Sequence, residues 1–311
     1  MVIPFSRGKM RKRCDGMSEQ IEKIRQKGVK QVLVTFGIVM LIMFVALLIP
    51  SRDRMPMLII GGFGGLIAIV LVLGSAEKKY RLAYKETFLR STIENEFEDV
   101  KVNFEEGFSE EEIAEGHLVH LYENFYSDDY ISGRYKDIVF ECSDIKVEDV
   151  IRNGKHTQTV TCFQGLYLKV NLKKRVHGWT VVREREFLGD GNPRPFWSEM
   201  PHLERVRVES EAFNQKFSIY TSDGQEAFYL LTPHFMEKLL ELERRYDGKC
   251  MFGFLNGQLH VAIDSREDHF VIGLFDAVDK AKIAEHQAEI DMIKGIVELV
   301  AKECETTWNT F

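Results

Sequence analysis

The sequence predicts an α+β protein with an N-terminal transmembrane helical hairpin, a helical stalk, and a mainly antiparallel-sheet cytoplasmic domain that ends in a long helix. Three observations carry this prediction: two long apolar stretches near the N-terminus, a change of hydrophobic period from 3.6 to 2 residues near Asp137, and a helical repeat over Asp279–Lys302. The predicted regions are a basic juxtamembrane segment at 1–30, the hairpin at 31–75, a helical stalk and connector at 76–135, and the α+β domain at 136–311.

The two apolar stretches are long enough to cross a bilayer. Val32–Ile49 and Met57–Leu73 contain no charged residue over 18 and 17 positions. As helices they would be about 27 and 26 Å long, close to the roughly 30 Å hydrocarbon core of a bilayer. The segment Pro50–Pro56 between them is long enough to reverse the chain and too short to fold. We therefore expect a transmembrane hairpin in preference to two buried helices of a soluble core.

Charge sets the expected orientation. Residues 1–90 hold 16 Lys and Arg against 6 Asp and Glu, whereas the rest of the chain holds 25 against 42. Basic residues flank the hairpin on its outer ends, and the loop has only Arg52 and Arg54. Because basic residues stay on the cytoplasmic side, both termini are expected to be cytoplasmic in a multi-pass protein of the inner membrane. The acidic remainder argues against nucleic acid as a partner.

Small residues predict where the hairpin helices pack. Gly61 and Gly65 lie four residues apart, the spacing that lets two backbones approach in lipid, and Ala46 of the first span would lie near the depth of Gly61. Packing within the hairpin is the first interpretation, and self-association into a homo-oligomer through the same face is the second. Neither span carries an ionisable residue, which argues against a channel or pump and leaves a glycine-lined oligomeric pore open.

Helical stripes extend beyond both ends of the hairpin. Before it, an amphipathic stretch predicts a short interfacial helix beside anionic lipid: Met17, Ile21, Ile24 and Gly28. After it, a second stripe predicts that the membrane helix continues as a stalk: Tyr84, Phe88, Ile93, Phe97 and Val100. Ser109 with Glu112 then forms a capping-box pattern that opens another helix.

The body alternates between strand and helix signals. Leu166–Leu172 is the clearest strand, and we expect it to form a hairpin with Trp179–Arg185. Phe217–Tyr220 and Ala227–Leu231 are expected to be strands on either side of an Asp223-Gly224 turn. Thr232-Pro233 predicts a helix start, Cys250–Leu255 and Gln258–Ile263 predict a hairpin around Asn256-Gly257, and Asp279–Lys302 predicts an amphipathic helix packed on the sheet.

Three segments of the body resemble a known family. They are Ser127–Tyr135, Phe163-Gln164-Gly165 before a strand, and above all Arg205–Leu242, with its Glu-Ser-x-x-Phe to Thr-Pro stretch. They are similar to a bacterial family of membrane-anchored proteins known as domain of unknown function 3137, over roughly Val102 to Ile263. The resemblance implies a cytoplasmic body behind two membrane helices in a bacterium. It supplies no reaction, cofactor or catalytic residue.

Few side chains suggest chemistry. Asp128-Asp129 beside Gly133 could serve as an acid pair or bind a metal, although acidic residues before a glycine are often turn formers. Lys173, Lys174 and Arg175 could contact an anion or a lipid headgroup at a hairpin tip. His117 and His120 could share a helix face, but without further ligands the spacing does not define a metal site. The five scattered cysteines are expected to be buried, unreactive thiols.

These observations favour an inner-membrane-anchored protein with a non-enzymatic cytoplasmic domain for binding or regulation. We expect no metal and no cofactor, a bilayer contact through two helices, and a protein partner at the membrane. One alternative is a membrane-tethered hydrolase or lipid-acting enzyme that uses Asp128 and Asp129. Another is an oligomeric pore or scaffold assembled through Gly61 and Gly65.

Overall fold

A computed structural model describes residues 7–48, 54–154, 156–173, 176–184, 203–245 and 248–306. The described chain is α+β, as the sequence predicts, and it divides into two compact units. The hairpin unit comprises Met1–Thr92 and Phe270–His286, and the sheet unit comprises Ile93–His269 and Gln287–Phe311.

The helices follow the chain in this order: α1 (Arg7–Leu48), α2 (Arg54–Tyr84), a π-helical turn (Lys85–Leu89), α3 (Arg90–Glu96), α4 (Glu110–Gly116), α5 (Glu211–Lys216), α6 (Gly224–Leu230), α7 (Pro233–Arg245) and α8 (Lys280–Thr306). The strands are β1 (Glu98–Asn103), β2 (Asn124–Tyr135), β3 (Ile138–Asn153), β4 (His156–Asn171), β5 (Thr180–Glu184), β6 (Glu204–Val206), β7 (Phe217–Thr221), β8 (Lys249–Leu255) and β9 (Gln258–Asp264).

Among the described residues, two helical stretches are long and apolar enough to cross a membrane, Glu19–Leu48 and Leu58–Glu96. The first lies in the hairpin unit, and the second begins there and ends four residues beyond Thr92. Of the most apolar stretch of each, 0% and 6% is buried within the chain, so neither is the core helix of a soluble domain. The less exposed residues of α1 recur every three or four positions and form one packing stripe: Val32, Thr35, Val39, Met43 and Ala46.

A second part of the hairpin unit comes from far along the chain. Residues 270–286 supply Ile272 and Leu274 to a buried cluster with Ile21, Tyr80 and Tyr84. Leu274 lies over Gly28, where an added Cβ would come within 2.9 Å of its Cδ1 atom. Tyr80 Oη donates to the backbone oxygen of Asp276 at 2.8 Å.

The sheet unit is built on one nine-stranded sheet among the described residues, in the order β1-β2-β3-β4-β9-β8-β5-β7-β6, and all neighbouring strands in it are antiparallel. The β8–β9 hairpin turns at Asn256 and Gly257, both with positive φ, as predicted. The capping box of α4 and the start of α7 at Pro233 are also as predicted. The predicted stripe of α8 is buried within the chain at Ile290, Ile293, Val297 and Val300.

Two predicted strand features are wrong. β4 does not pair with β5, because β9 and β8 lie between them in the sheet. The segment Ala227–Leu231 is not a strand, because Asp223 caps a helix, α6, and its side chain accepts from the backbone N–H groups of Gln225 and Glu226. A short polar turn and a helix cap share the same residue types, so the Asp-Gly signal alone did not separate them.

Two further differences concern the N-terminal half. The stretch predicted as an interfacial helix is the first part of the continuous helix α1, and Ile21 is buried in the cluster of the hairpin unit. The stalk is helical through Glu96, as predicted, but Val100 lies in β1. The predicted connector at 76–135 therefore includes β1 and β2, which pair with each other at the sheet edge.

Candidate functional site

The predicted packing glycines lie on the face where α1 and α2 meet. A Cβ added to Gly65 would overlap Val39 Cγ1, and one added to Gly61 would lie 3.7 Å from Met43 Sδ. Of the α2 glycines, Gly65 is thus the one whose Cβ position lies nearest to a side chain of α1. Ala46, one turn beyond Met43, belongs to the packing stripe but does not come within 4 Å of the Gly61 position.

The predicted basic cluster is only partly within the described residues. Lys173 is exposed and has a positive φ, whereas Lys174 and Arg175 lie outside the described residues. Two basic residues close to them in the sequence are buried in the sheet: Lys169 pairs with Glu112 at 3.1 Å, and Arg183 lies inside β5. Lys169 on β4 and Arg183 on β5 lie on strands that are not neighbours, so they do not extend the basic cluster.

The predicted histidine pair does not share a helix face. His117 is the left-handed residue that ends α4, and its ring packs 5.1 Å from the Trp179 ring. His120 lies beyond the helix, 4.2 Å from the Tyr122 ring.

The cysteine thiols that the structure describes are free, and two of them are fully buried, Cys142 and Cys250. Burial raises the pKa of both thiols, so they stay protonated and unreactive at neutral pH. Cys162 is half-buried, and the side chains of Cys14 and Cys304 lie outside the described residues.

Asp128 and Asp129 lie at a bulge in β2. The register of β2 and β3 shifts between Asp128 and Ile131, and Asp128 is the partner of Asp144 across the ladder. Asp129 has a φ of 55° and is 1% exposed. A bulge places consecutive residues in unlike environments, which separates the two carboxylates that the sequence treated as a pair.

Asp128 instead joins two aspartates from other segments of the sheet unit. Asp144 is on β3, and Asp268 is in the loop after β9. One carboxylate oxygen from each of the three residues lies within 4.8 Å of the others, and we call this group the aspartate cluster. Asp128 is half-buried, Asp144 is buried, and Asp268 is exposed. Carboxylates this close repel one another unless a proton or a cation lies among them.

The loop at 265–269 is held firmly against the sheet. Arg266 donates from its backbone N–H to Gln164 O at 2.9 Å and from Nη1 to Thr161 O at 2.6 Å. His269 donates its backbone N–H to Asp144 Oδ2. Its ring nitrogens lie 3.3 Å from Glu289 Oε1 and 3.1 Å from Ser265 Oγ. The position of Asp268 is therefore fixed by its neighbours on both sides.

Burial raises the pKa of Asp144 well above its usual value, and the nearby carboxylate of Asp268 raises it further against the opposing effect of His269. Burial alone would lower the pKa of His269, but its hydrogen bond to Glu289 and the charge of Asp144 outweigh that effect and raise it. Of the three carboxyl groups, that of Asp144 is therefore the one whose neutral form the fold favours most clearly.

A separate cleft of about 640 Å³ also lies in the sheet unit. Five basic and three acidic side chains line it, together with Gly248 and Ser265: Glu184, Lys216, Glu243, Arg244, Arg245, Lys249, Asp264 and Arg266. Lys216 Nζ lies 3.2 Å from Glu184 Oε2 and 2.7 Å from Glu243 Oε1. Arg244 and Arg245 are exposed at the end of α7. Because basic side chains outnumber acidic ones in its lining, the cleft carries an excess of positive charge.

Sequence reasoning found Asp128 but missed its two partners. Asp144 had a signal, because it continues the alternation of Ile138, Phe140 and Cys142, and a charged residue in that phase falls on a buried face. After Cys142 the apolar positions shift by one residue to Ile145 and Val147, so Asp144 did not stand out as a charged residue among apolar ones. Asp268 lies in an irregular loop more than one hundred residues along the chain, and only the pairing of β4 with β9 brings it close.

One solved structure is similar to part of this chain. The crystal structure of the mycobacterial trehalose monomycolate transport factor A, TtfA, is similar at 8% sequence identity and a TM-score of 0.31, over 57% of this chain and 75% of that chain. A likeness this low does not establish a shared fold. No curated protein matches the chain.

The family resemblance predicted from the sequence is confirmed over part of its range and extends further toward the C-terminus. Its matched region runs from the middle of β4 into the last turns of α8 and includes Asp268 but not Asp128 or Asp144. Residues 161–302 of this chain match the family described as Protein of unknown function (DUF3137).

Proposed function

We propose that this chain is a membrane-anchored binding protein, in which two helices hold a folded α+β domain at the bilayer. The observation that carries the proposal is the exposure of the apolar helices: 0% and 6% of their most apolar stretches is buried within the chain. Apolar surface of that length is stable only in lipid or against another apolar surface.

The charge distribution gives the orientation of the proposed anchor. Nine basic residues precede the first apolar stretch and five follow the second within residues 78–90. By the positive-inside rule both termini lie in the cytoplasm, and the sheet unit works on that face of the inner membrane.

Binding is favoured over catalysis by the character of the surfaces that the sheet unit offers. The charged cleft can take an anionic group of a partner through Arg244, Arg245 and Lys249. A hydrolase that uses Asp128 with Asp129 would need both carboxylates in one cleft, and Asp129 does not belong to the aspartate cluster. A partner at the membrane, recognised by its negative charge, therefore suits the domain better.

The anchor is tested by fractionation and by reporters on the full chain. The protein should remain in the membrane pellet after alkaline carbonate extraction. A fluorescent reporter fused after Phe311 should be active, and an alkaline phosphatase fused at the same site should be inactive. A soluble chain, or an active phosphatase fusion, would contradict the proposal.

The binding role has its own test, with Arg244→Glu/Arg245→Glu compared with wild type and with Lys302→Glu as an exposed control outside the cleft. Crosslinking in native membranes should give a partner adduct that only the cleft variant loses. Reproducible turnover by the purified chain on a substrate panel would replace binding with catalysis.

A further inference from the structure

We propose that Asp128, Asp144 and Asp268 bind a divalent cation of the oxygen-preferring class, Ca²⁺ or Mg²⁺. From the sequence we expected no metal, although Asp128-Asp129 was a candidate metal-binding pair. The proposal goes beyond anchoring and partner binding, neither of which requires an ion.

The first support is the geometry of the cluster. Three carboxylates from β2, β3 and the 265–269 loop each place an oxygen within 4.8 Å of the other two. Ca²⁺ binds oxygen ligands at about 2.3–2.6 Å, so two of its ligands are separated by at most about 5 Å. The spacing of the three oxygens is therefore within the range that one Ca²⁺ ion spans.

The second support is a buried carboxylate oxygen that the protein leaves unsatisfied. Asp144 is 5% exposed, and its Oδ2 atom accepts from the backbone N–H of His269. Its Oδ1 atom is fully buried and has no hydrogen-bond partner among the described residues. This carboxylate belongs to the cluster, because one of its oxygens lies within 4.8 Å of an oxygen of Asp128 and of an oxygen of Asp268. Buried polar atoms are rarely left without a partner, and a cation would provide one.

The donor set decides the class of ion. All three ligands are carboxylate oxygens, which suit Ca²⁺ and Mg²⁺ rather than zinc or copper. The ring nitrogens of His269 already face Glu289 and Ser265, so the imidazole is not a fourth ligand. Asp268 is exposed, which gives the ion a route from solvent and room for water ligands. Mg²⁺ usually keeps several waters, whereas Ca²⁺ takes more protein oxygens.

One competing explanation uses only this chain. A protonated His269 and a proton on Asp144 could neutralise the cluster without an ion. The two explanations differ in whether added cation binds to the stripped chain and in whether Asp268→Asn weakens that binding.

The test uses the full chain in detergent, stripped with EDTA. Equilibrium dialysis with CaCl₂ or MgCl₂ should give one ion per chain, and the same salt should raise the thermal unfolding midpoint at constant ionic strength. Asp268→Asn should raise the dissociation constant at least about tenfold, because affinity depends on ligand charge. Asp144→Asn should weaken binding in the same way if the variant folds. If it does not fold, Asp268→Asn alone is the test, because the side chain of Asp268 is exposed and its substitution should not disturb folding.

Asp137→Asn is the matched control. Asp137 is an exposed aspartate at the β2–β3 turn with a positive φ that asparagine tolerates, so this variant should bind the ion as the wild type does. Binding that Asp268→Asn leaves unchanged would overturn the proposal. So would no binding up to about 10 mM, above the weakest range of protein Ca²⁺ sites, or a midpoint shift reproduced by KCl.

Discussion

The hairpin unit exposes many of its large apolar side chains, whereas the sheet unit buries most of its own. Leu41 of α1 is 62% exposed, and the sheet unit buries Phe252 completely in the middle of β8. If the hairpin unit is the membrane anchor that we propose, both arrangements remove apolar atoms from water, one into lipid and the other into a protein core. The difference teaches that burial within the chain is not the measure of stability in the hairpin unit.

The largest expected effect comes from truncating the sheet core. Phe252→Ala should destabilise the sheet unit by about 3–5 kcal/mol, because a buried aromatic ring is lost and a cavity remains. Denaturant unfolding of the full chain in detergent, followed by tryptophan fluorescence, measures this. Phe63→Ala is the control, since Phe63 is exposed on α2. An equal loss at both positions would break the distinction between the two units.

The next largest effect is expected from adding a charge to an exposed apolar position in each unit. Leu41→Lys places an ammonium near the middle of the first apolar stretch, at a cost of about 2.5–3.5 kcal/mol for membrane insertion. Val139→Lys changes a residue of β3 that is 49% exposed, where water solvates the charge. The carbonate-resistant fraction should fall for Leu41→Lys alone. If both variants stay fully in the membrane pellet, α1 does not face lipid at Leu41.

The two units also differ in how well the sequence predicted them. The apolar helices needed no partner to be recognised, because a charge-free run of 18 residues at Val32–Ile49 is a local signal. The β8–β9 hairpin was equally local, since Asn256-Gly257 fixes its turn. The order of strands in the sheet is not a local signal. The sequence predicted β4 and β5 as neighbours, whereas β9 and β8 lie between them.

The candidate site depends on that non-local order. Asp128 was visible as part of an acidic pair, but a bulge in β2 determines which neighbour it meets. Asp268 reaches Asp144 only because the loop after β9 is anchored to Gln164 on β4. A single sequence carries no signal for such a contact, since nothing in the spacing of residues 144 and 268 requires it.

A buried histidine should make the stability of the sheet unit depend on pH. His260 lies on β9 with Nδ1 2.9 Å from Tyr167 Oη, and burial, with the charges of Lys169 and His117, lowers its pKa to about 4. The unfolded chain binds the proton with a pKa of about 6.5, so stability falls as pH drops from about 6.5 to 4. The full loss is up to about 3 kcal/mol. Unfolding midpoints measured across this range test it.

The matched variant for this effect is His260→Gln, which keeps a polar side chain that does not titrate. It should lose this part of the pH dependence, while carboxylates contribute equally to both proteins. The same slope in wild type and variant would show that His260 accepts its proton as easily in the fold as in the unfolded chain. The hairpin unit should be unaffected in either case.

Two adjacent glycines test packing inside the hairpin. Gly65→Val should lower stability by about 1–3 kcal/mol, because its side chain would overlap Val39. Gly64→Val should have little effect, since nothing lies within 4 Å of a Cβ at that position. Unfolding in SDS-titrated micelles compares them. A change of assembly size with an unchanged unfolding midpoint would assign the contact to a second copy of the chain.

The smallest effect is expected from removing the N-terminal cap of the short helix α4 in the sheet unit. The helix α4 has 7 residues, too few to be stable alone, and Ser109 caps it: Glu112 N donates to Ser109 Oγ at 3.3 Å, and Ser109 N donates to Glu112 Oε2 at 2.9 Å. Ser109→Ala should cost about 1 kcal/mol in denaturant unfolding, and Ser109→Asp should restore most of it. The helices of the hairpin unit, at 42 and 31 residues, are satisfied along their length by their own backbone hydrogen bonds, so no single cap matters to them. If Ser109→Ala leaves the midpoint unchanged, packing of Ile113 against the sheet core holds α4 without its cap, and the two units stabilise their helices more similarly than their lengths imply.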